Sequence, residues 1–365
     1  MKSVRLAKEL VDKMLLSVPF MNQQYVAYKM RQSEELPMSH GWFPIEMSSI
    51  EKAICDYAVD VHDKNKLVRD IVCCHQRYLT TPEEYFHFEF DSENTSHSQR
   101  KRFLAEDMMN LLMINTVGVE RCDELEDKYG LYTKLKPFYK REICKVESGE
   151  DYDNYVAFIN RHASYFVKPN SSSCGRGCYK VTSIVPAHTE GAINDLEFQQ
   201  LISDQGSVIE ELINQDDSMK QWNPSSVQTI RLNTILTSKG FYVFPAALRI
   251  GKENAVVDNA ASGGYVAAID EKAGVVITDA INYRREVYKH DCNSLKGWHV
   301  PEWDTLLNMA REIQELIPHQ KYVGWDFAYS KKGWCVVEAN WGEFLTQFVT
   351  GSGVRTEFEK RLSEK

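Results

Sequence analysis

The sequence predicts an α+β protein in which a helical N-terminal part precedes a β-rich remainder. The first 125 residues place apolar side chains at helical spacing, whereas short β-branched and aromatic runs dominate from about residue 164. Two segments, "TSKGF" and "DEKAGV", are typical of hairpin turns, so we expect largely antiparallel sheets. The absence of a GxGxxG motif and of βαβ alternation argues against a dinucleotide-binding fold.

Length and composition narrow the class of protein further. The 365 residues are enough for two or three domains, with 43% hydrophobic and 26% charged residues, as in ordinary globular proteins. The net charge of −9 disfavours a general nucleic-acid binder. No apolar run reaches the roughly 18 residues of a membrane-spanning helix. Nine cysteines without a repeated spacing are typical of reduced thiols, so we expect a cytoplasmic protein.

Three segments of the N-terminal part predict helices. Ser48 and Glu51 have the spacing of a capping box in "SSIEKAICDYAVDV". Thr81 and Glu84 repeat that spacing in "TPEEYFHF". The segment "HSQRKRFLAEDMMNLLMIN", residues 97–115, has an apolar stripe that predicts one longer helix.

The stretch "YFVKPNSSSCGRGCYKV", residues 165–181, combines a strand end with a glycine-rich turn. The strand ends at Lys168, and Gly175 and Gly177 precede the next strand. Glycines let main-chain N–H groups approach an anion without steric hindrance from Cβ, and a lysine adds a full positive charge. The turn therefore suits a polyphosphate, although a plain surface hairpin has the same composition. The Walker A pattern GxxxxGK[ST] is absent.

A second hairpin, "KYVGWDFAYSKKGWCVVEAN", carries oxygen ligands. If its turn has three residues with Gly333 in the left-handed conformation, Asp326 lies opposite Glu338. Asn340 then shares their face, because side chains alternate along a strand. Such groups suit Mg²⁺ completed by phosphate oxygens and water. The alternatives are that they face solvent, or that a two-residue turn breaks this pairing.

The order of these motifs resembles that of the ATP-grasp superfamily. The nearest resemblance is to the sugar-transfer-associated ATP-grasp proteins of bacterial polysaccharide gene clusters, and it runs from about Tyr78 to Phe348. It implies two β-rich lobes that sandwich ATP, preceded by a helical N-terminal domain. The implied boundaries are 1–120 for the helical domain, 121–211 for the N-terminal lobe and 212–365 for the C-terminal lobe.

The resemblance implies ATP and Mg²⁺ as cofactors and assigns residues to the nucleotide. The implied ATP-binding residues are Lys128, Lys168, Ser172, Ser173, Gly175, Gly177, Glu210, Glu211, Leu212, Ile213 and Asp217. The two lysines contact phosphates, and residues 171–177 form a flexible phosphate lid. Residues 210–213 meet adenine at an inter-lobe hinge, mostly through the main chain. Asp217 accepts from ribose hydroxyls, with Asp216 nearly as plausible.

The resemblance also assigns residues to the reacting groups. Arg231 and Arg249 resemble arginines that hold the γ-phosphate or a substrate acyl group, which suits their planar, bidentate donors. Asn259 falls where the family approaches the reacting phosphate. The implied Mg²⁺ ligands are Asp326, Glu338 and Asn340. For the arginines, the alternative is pairing with surface glutamates.

These assignments imply an ATP-dependent ligase. The γ-phosphate activates a small-molecule carboxylate as an acyl phosphate, which an amine or hydroxyl acceptor, sugar-linked in a polysaccharide context, then attacks. A direct phosphotransferase and a nucleotide-binding subunit without chemistry are the alternatives. Helices replace the N-terminal α/β domain of many ATP-grasp ligases, so the substrate cannot be inferred from theirs. Nothing in the sequence indicates the oligomeric state.

Overall fold

A computed structural model gives the fold of most of the chain. It describes residues 45–58, 61, 63–118, 120–170, 175–182, 195–203, 206–290 and 294–364. The described residues divide into two compact units. The first runs to Thr116 and includes Gly351–Glu359, and the second comprises Val117–Thr350 and the residues that follow Glu359.

The first unit is helical, as predicted. Its described helices, apart from one C-terminal helix, are α1 (Met47–Tyr57), α2 (Lys64–Tyr78), α3 (Pro82–His87), α4 (His97–Arg100) and α5 (Glu106–Val117). The capping box at Thr81 and Glu84 is confirmed. The one at Ser48 is wrong, because α1 begins at Met47, so that Ser48 is already inside the helix, and the Ser48 hydroxyl donates to the Glu46 carboxylate at 3.1 Å.

The single helix predicted over residues 97–115 is also wrong. The segment forms two helices separated by residues 101–105, of which Phe103, Leu104 and Ala105 are buried in the core. The Glu84 carboxylate accepts from the N–H of Glu106 at 2.8 Å and so satisfies a donor in the first turn of α5. Burial of the connection and this capping contact favour a new helix over a continuous one.

The second unit begins with helices and a four-stranded sheet. Its first elements are α6 (Glu120–Glu126), α7 (Lys128–Tyr139), β1 (Ile143–Val146), α8 (Tyr152–Arg161), β2 (Ser164–Pro169), β3 (Tyr179–Thr182), α9 (Leu196–Ile202) and β4 (Ser207–Glu211). The small sheet has the antiparallel order β1-β4-β2-β3. Helices α8 and α9 cover it through a core that includes Tyr155, Phe158 and Phe198. The sequence did not predict β1, whose four residues are too few to show a periodicity.

A seven-stranded sheet follows. The remaining elements are α10 (Asp217–Lys220), β5 (Thr229–Thr237), β6 (Gly240–Val243), β7 (Ala246–Ile250), β8 (Tyr265–Asp270), β9 (Val275–Val276), α11 (Trp303–Leu316), β10 (Tyr322–Ser330), β11 (Gly333–Asn340), α12 (Leu345–Thr350) and α13 (Arg355–Leu362). The large sheet has the order β11-β10-β5-β7-β8-β9, with β6 paired to β5. Every strand pairing is antiparallel, and both predicted hairpin turns are confirmed. No helix in the described ranges has the length and apolar character needed to cross a membrane.

Candidate active site

Both sheets of the second unit contribute to one cavity of about 300 Å³. The predicted site residues that line it are Lys128, Lys168, Gly175, Glu210, Glu211, Leu212, Ile213, Arg249, Asn259, Asp326 and Glu338. The predicted residues that do not line it are Gly177, Asp217, Arg231 and Asn340. Ser172 and Ser173 lie outside the described residues. The fold thus gathers residues more than 200 positions apart in sequence around one space.

The β10–β11 hairpin places Asp326 directly opposite Glu338, as predicted, but by a different route. Gly333 is left-handed (φ 86°), yet the turn has two residues, because Ser330 pairs with Gly333. That turn alone would put Glu338 opposite Trp325. A bulge at Val337 shifts the register by one residue and restores the pairing. The predicted three-residue turn is wrong, whereas the predicted facing of the two carboxylates is confirmed.

The hairpin offers oxygen donors that fit Mg²⁺. The carboxylate of Glu338 makes no hydrogen bond or ion pair with any described residue. The Oδ1 atom of Asn340 is buried without a hydrogen-bond partner. No group of three or more His, Cys, Asp or Glu side chains in the described ranges could hold a metal. The donor set is therefore two carboxylates and an amide, which need phosphate oxygens and water to complete a magnesium shell.

The third proposed ligand, Asp326, is held by two arginines. Arg231 donates through Nε to its Oδ1 at 2.7 Å and through Nη2 to its Oδ2 at 3.1 Å. Arg249 donates through Nη1 to Oδ2 at 2.8 Å and pairs through Nη2 with Asp258 at 2.9 Å. The side chains of all four residues are buried. The arginines thus pair with buried aspartates in place of the surface glutamates that the alternative reading named.

These pairings determine the charge state of the cluster. Burial raises the pKa of Asp326, but Arg231 and Arg249 more than offset it and bring that pKa to about 2. Burial also raises the pKa of Asp258, and Arg249 counters this only in part. With both aspartates ionised, two guanidiniums balance two carboxylates. The cluster is then neutral, and it offers hydrogen bonds to an anion without a net positive charge.

The small sheet presents Lys168 through a buried network. Its Nζ lies 2.9 Å from Oε1 of Glu210, and Arg141 Nη2 lies 2.7 Å from Oε2 of the same carboxylate. Burial raises the pKa of Glu210, but the two cations more than offset it and hold that pKa below its usual value. Two cations and one carboxylate leave this network with one net positive charge beside the cavity. The side chain of Glu210 is therefore committed to ion pairs.

The described end of the glycine turn approaches the large-sheet side of the cavity. Gly175 and Gly177 are left-handed, with φ near +70°. A Cβ atom at Gly175 would lie 2.9 Å from Oδ1 of Asn259, so only glycine fits this contact without a shift. Asn259 precedes the short 3₁₀ helix Ala260–Ser262. The turn and Asn259 are thus brought together, as the lid prediction requires.

The segment after β4 borders the cavity. Leu212 and Ile213 line it, and no main-chain hydrogen bond joins either residue to another described residue outside the strands. The N–H of Lys331 donates to the carbonyl oxygen of Asn214, the next residue, at 2.9 Å. The contact of residues 210–213 with adenine stays a prediction.

The two aspartates proposed for ribose point elsewhere. The Asp217 carboxylate pairs with Lys331 Nζ at 2.7 Å, and its side chain is 83% exposed. Asp216 pairs with the same lysine at 3.0 Å and caps α10 by accepting from the N–H of Ser218. Neither residue lines the cavity, so the geometry does not support the ribose assignment for either one.

The comparison with family models decides the identity of the fold. Residues 127–361 match the model described as sugar-transfer associated ATP-grasp, which is more than half of the chain. The chain belongs to this ATP-grasp family. The predicted ATP-grasp fold, with a helical region before it, is therefore confirmed.

Several solved structures have chains that are similar to part of this one, at low sequence identity. One is an N5-carboxyaminoimidazole ribonucleotide synthetase in complex with ADP (11% identity, TM-score 0.39), whose match covers 67% of this chain and about half, 52%, of that one. Another is the D-alanyl-alanine synthetase A from Vibrio cholerae (13% identity, TM-score 0.41), with 71% and 68% covered. A third is the D-alanine-D-alanine ligase from Coxiella burnetii (11%, 0.38), with 70% and 60% covered. A comparison with curated proteins found no match.

Sequence reasoning missed several residues that line the ATP-grasp cavity or support it. Asp258 lines the cavity and pairs with Arg249, and its position next to the predicted Asn259 was the available signal. Lys180 lines the cavity from β3, opposite Phe166 of β2. It lies on the strand after the glycine turn, which the sequence did show. Arg141 precedes the short strand β1, and no local pattern marks it.

Proposed function

We propose that this chain is an ATP- and Mg²⁺-dependent ligase that activates a carboxylate as an acyl phosphate and joins it to an amine or hydroxyl acceptor. The observation that carries the proposal is the composition of the cavity. Lys128 and Lys168 line it on the small-sheet side, and the unpaired Glu338 lies opposite Asp326 on the large sheet. Cations for phosphates and oxygen ligands for a metal therefore border the same space.

The two lysines serve the triphosphate. Lys168 is held by Glu210, so its ammonium is ordered before ATP arrives and little side-chain entropy is lost on binding. Lys128 stands at the first turn of α7, where the helix dipole adds to its positive charge. Gly175 lies beside Asn259 at the cavity, where the two residues would border the phosphates.

The proposed Mg²⁺ ligands are Asp326, Glu338 and Asn340. These residues would hold a Mg²⁺ ion, which would supply positive charge against the phosphates of ATP. Glu338 and the unpartnered Oδ1 of Asn340 are available as donors, and Asp326 is oriented by its arginines. The chain itself contributes the spacing of these oxygens across the hairpin.

Arg249 is the proposed contact to the transferring phosphoryl group. A substrate carboxylate that attacks the γ-phosphorus brings two anions together, while the bond to the ADP oxygen breaks and ADP leaves with the electron pair. Arg249 lines the cavity, and its Nε is buried without a partner. Because its charge is balanced by Asp258 and Asp326, its contribution is directed hydrogen bonding. The acceptor then attacks the acyl carbon, and phosphate leaves.

The acceptor is proposed to be sugar-linked, because the matching family is described as sugar-transfer associated. We infer accordingly a role in the biosynthesis of bacterial surface polysaccharides or related sugar conjugates. The acid itself is a small molecule, as expected for a cavity of about 300 Å³ that already takes ATP.

Hydroxylamine trapping tests the reaction. With ATP, Mg²⁺ and a panel of carboxylic acids, hydroxylamine replaces the natural acceptor, and we expect a hydroxamate with one ADP and one phosphate per turnover. Arg249→Lys should reduce all three products together. A stable phosphorylated sugar or lipid with no hydroxamate from any acid would instead establish a phosphotransferase. Binding of ATP without any turnover across the acid and aminosugar panel would favour a non-catalytic subunit.

A further inference from the structure

We propose that Arg141, which does not line the cavity, positions both Lys168 and Glu338 for the reaction. The inference rests on the proposed function, since it assigns those two residues to phosphate and metal. Arg141 lies between Tyr139 and β1, and its side chain is only 2% exposed. A guanidinium that is so deeply buried requires a full set of partners.

One set of partners is on the small sheet. Arg141 donates through Nε and Nη2 to Oε2 of Glu210, at 2.9 and 2.7 Å. The other oxygen of Glu210 holds Lys168 at 2.9 Å. Glu210 is thus shared, and the direction in which it presents Oε1 to Lys168 depends on Arg141. Without that guanidinium, the carboxylate can rotate toward Lys168 and draw the ammonium away from the phosphates.

The other set of partners is on the large sheet, at the bulge. Arg141 donates through Nη1 to Val336 O at 2.5 Å and through Nη2 to Val337 O at 3.4 Å. Lys168 Nζ also lies 3.4 Å from Val337 O. β11 is an edge strand of the large sheet and Val337 is the extra residue of the bulge, so carbonyls here that do not bond to β10 need donors from outside the sheet. Arg141 supplies them.

The bulge determines which way Glu338 points. With a regular two-residue hairpin, Glu338 would pair with Trp325 and face away from Asp326, because a one-residue slip moves a side chain to the opposite face of a strand. By holding the carbonyls of Val336 and Val337, Arg141 stabilises the register that puts Glu338 opposite Asp326. One residue therefore links the phosphate lysine to the proposed metal ligand.

Lysine cannot replace arginine in this role. The guanidinium makes its contacts in different directions from three nitrogens, to Glu210 and to carbonyls of the large sheet, whereas an ammonium is a single point of charge. Arg141→Lys keeps the positive charge that the buried Glu210 requires but loses the planar guanidinium with its several donors. Arg141→Met removes both. Comparing the two variants shows whether the site requires the positive charge of Arg141 or the geometry of its guanidinium.

The experiment is calorimetric titration of the full chain with ATP, with and without Mg²⁺. For Arg141→Met and Arg141→Lys we expect ATP affinity to fall about 10–100-fold and the gain in affinity from Mg²⁺ to shrink, as for changes behind a metal ligand. The dissociation constant is the decisive quantity, because a purely structural loss would lower the number of competent molecules and leave their affinity unchanged. Arg161→Met is the matched control, since Arg161 pairs with Glu142 at the surface of the same lobe.

The outcomes separate this proposal from the one on which it rests. A wild-type protein that binds no ATP with or without Mg²⁺ would overturn the proposed function. A wild type that binds ATP, together with folded Arg141 variants of unchanged affinity and unchanged gain from Mg²⁺, would overturn the positioning role alone. If Arg141→Met does not fold, the Arg141→Lys titration decides by the same criterion. If that variant also fails to fold, the double variant Arg141→Met/Glu210→Gln is titrated, because it removes the buried guanidinium and the buried carboxylate together. Unchanged ATP binding by this variant overturns the positioning role.

Discussion

Arg249 holds two buried carboxylates with one guanidinium, Asp326 through Nη1 at 2.8 Å and Asp258 through Nη2 at 2.9 Å. The hydroxyl and N–H of Thr229 donate to the other oxygen of Asp258, so that residue is fully engaged. The acids and bases at the centre of the cavity are therefore arranged before any ligand binds. This preorganisation has consequences for stability as well as for chemistry.

Arg249→Ala should destabilise the protein strongly. It leaves Asp258 without a cation and Asp326 with Arg231 alone, and breaking a buried ion pair costs about 3–5 kcal/mol. The free energy of unfolding, measured with urea, gives the value. Arg161→Ala, which removes a surface ion pair, should change little. A small loss for Arg249→Ala would mean that water replaces the guanidinium and that the cluster is not closed.

The loss of folding stability at low pH should depend on Asp326. Its pKa is about 2 in the folded protein, because the two arginines outweigh burial, and lies near 3.9 in an unfolded chain. Between these values the unfolded chain binds the proton and the folded protein does not, so stability is present above about pH 4 and falls as the pH drops to about 2.

The size of this effect is roughly 2–3 kcal/mol for a shift of that kind. Other carboxylates with lowered pKa values, such as Glu210 and Asp216, contribute to the same loss of stability. The test is therefore the difference between wild type and Asp326→Asn in unfolding free energy from pH 5 to pH 2. The variant should show the shallower slope. Parallel curves would contradict the assignment of the lowered pKa to Asp326.

Glu338→Gln should lower the rate of Mg²⁺-dependent turnover by at least about a hundredfold, because replacing even a residue behind a metal ligand costs about 10–100-fold. The melting temperature without ligand should rise slightly, because a carboxylate opposite Asp326 is removed. ADP release across a Mg²⁺ series and a thermal melt measure the two effects. Glu312→Gln on the exposed face of α11 is the control. Near-normal turnover in Mg²⁺ would rule out Glu338 as a ligand.

Lys168→Ala should weaken ATP binding while the fold persists. A charge-assisted contact to phosphate contributes on the order of 1.5–3 kcal/mol, and Glu210 keeps Arg141 as its partner. Calorimetry gives the affinity, and circular dichroism checks the fold. Lys145 lies on β1 and pairs with Glu147 near the surface, so Lys145→Ala should leave the affinity for ATP unchanged. Equal affinities for the two variants would place Lys168 outside the phosphate site.

The sequence by itself was enough for features that depend on short-range geometry. Alternation along a strand places Glu338 and Asn340 on one face, and a strand end followed by glycines places Lys168 beside a turn that can approach an anion. The same holds for the capping box at Thr81 and for the antiparallel hairpins. Each of these depends on residues a few positions apart, where local backbone rules apply.

Only the tertiary structure decided the contacts between distant segments. The bulge that turns Glu338 toward Asp326 is held by Arg141, 195 residues before Val336. Arg231 meets Asp326 across 95 positions, and Lys331 draws Asp217 away from the cavity across 114. For the buried arginines the reason is burial: a charge removed from water must find a partner in the folded chain, and the partner is set by the packing of two sheets rather than by neighbouring residues. The Lys331–Asp217 pair lies at the surface, where the fold brings the two residues together.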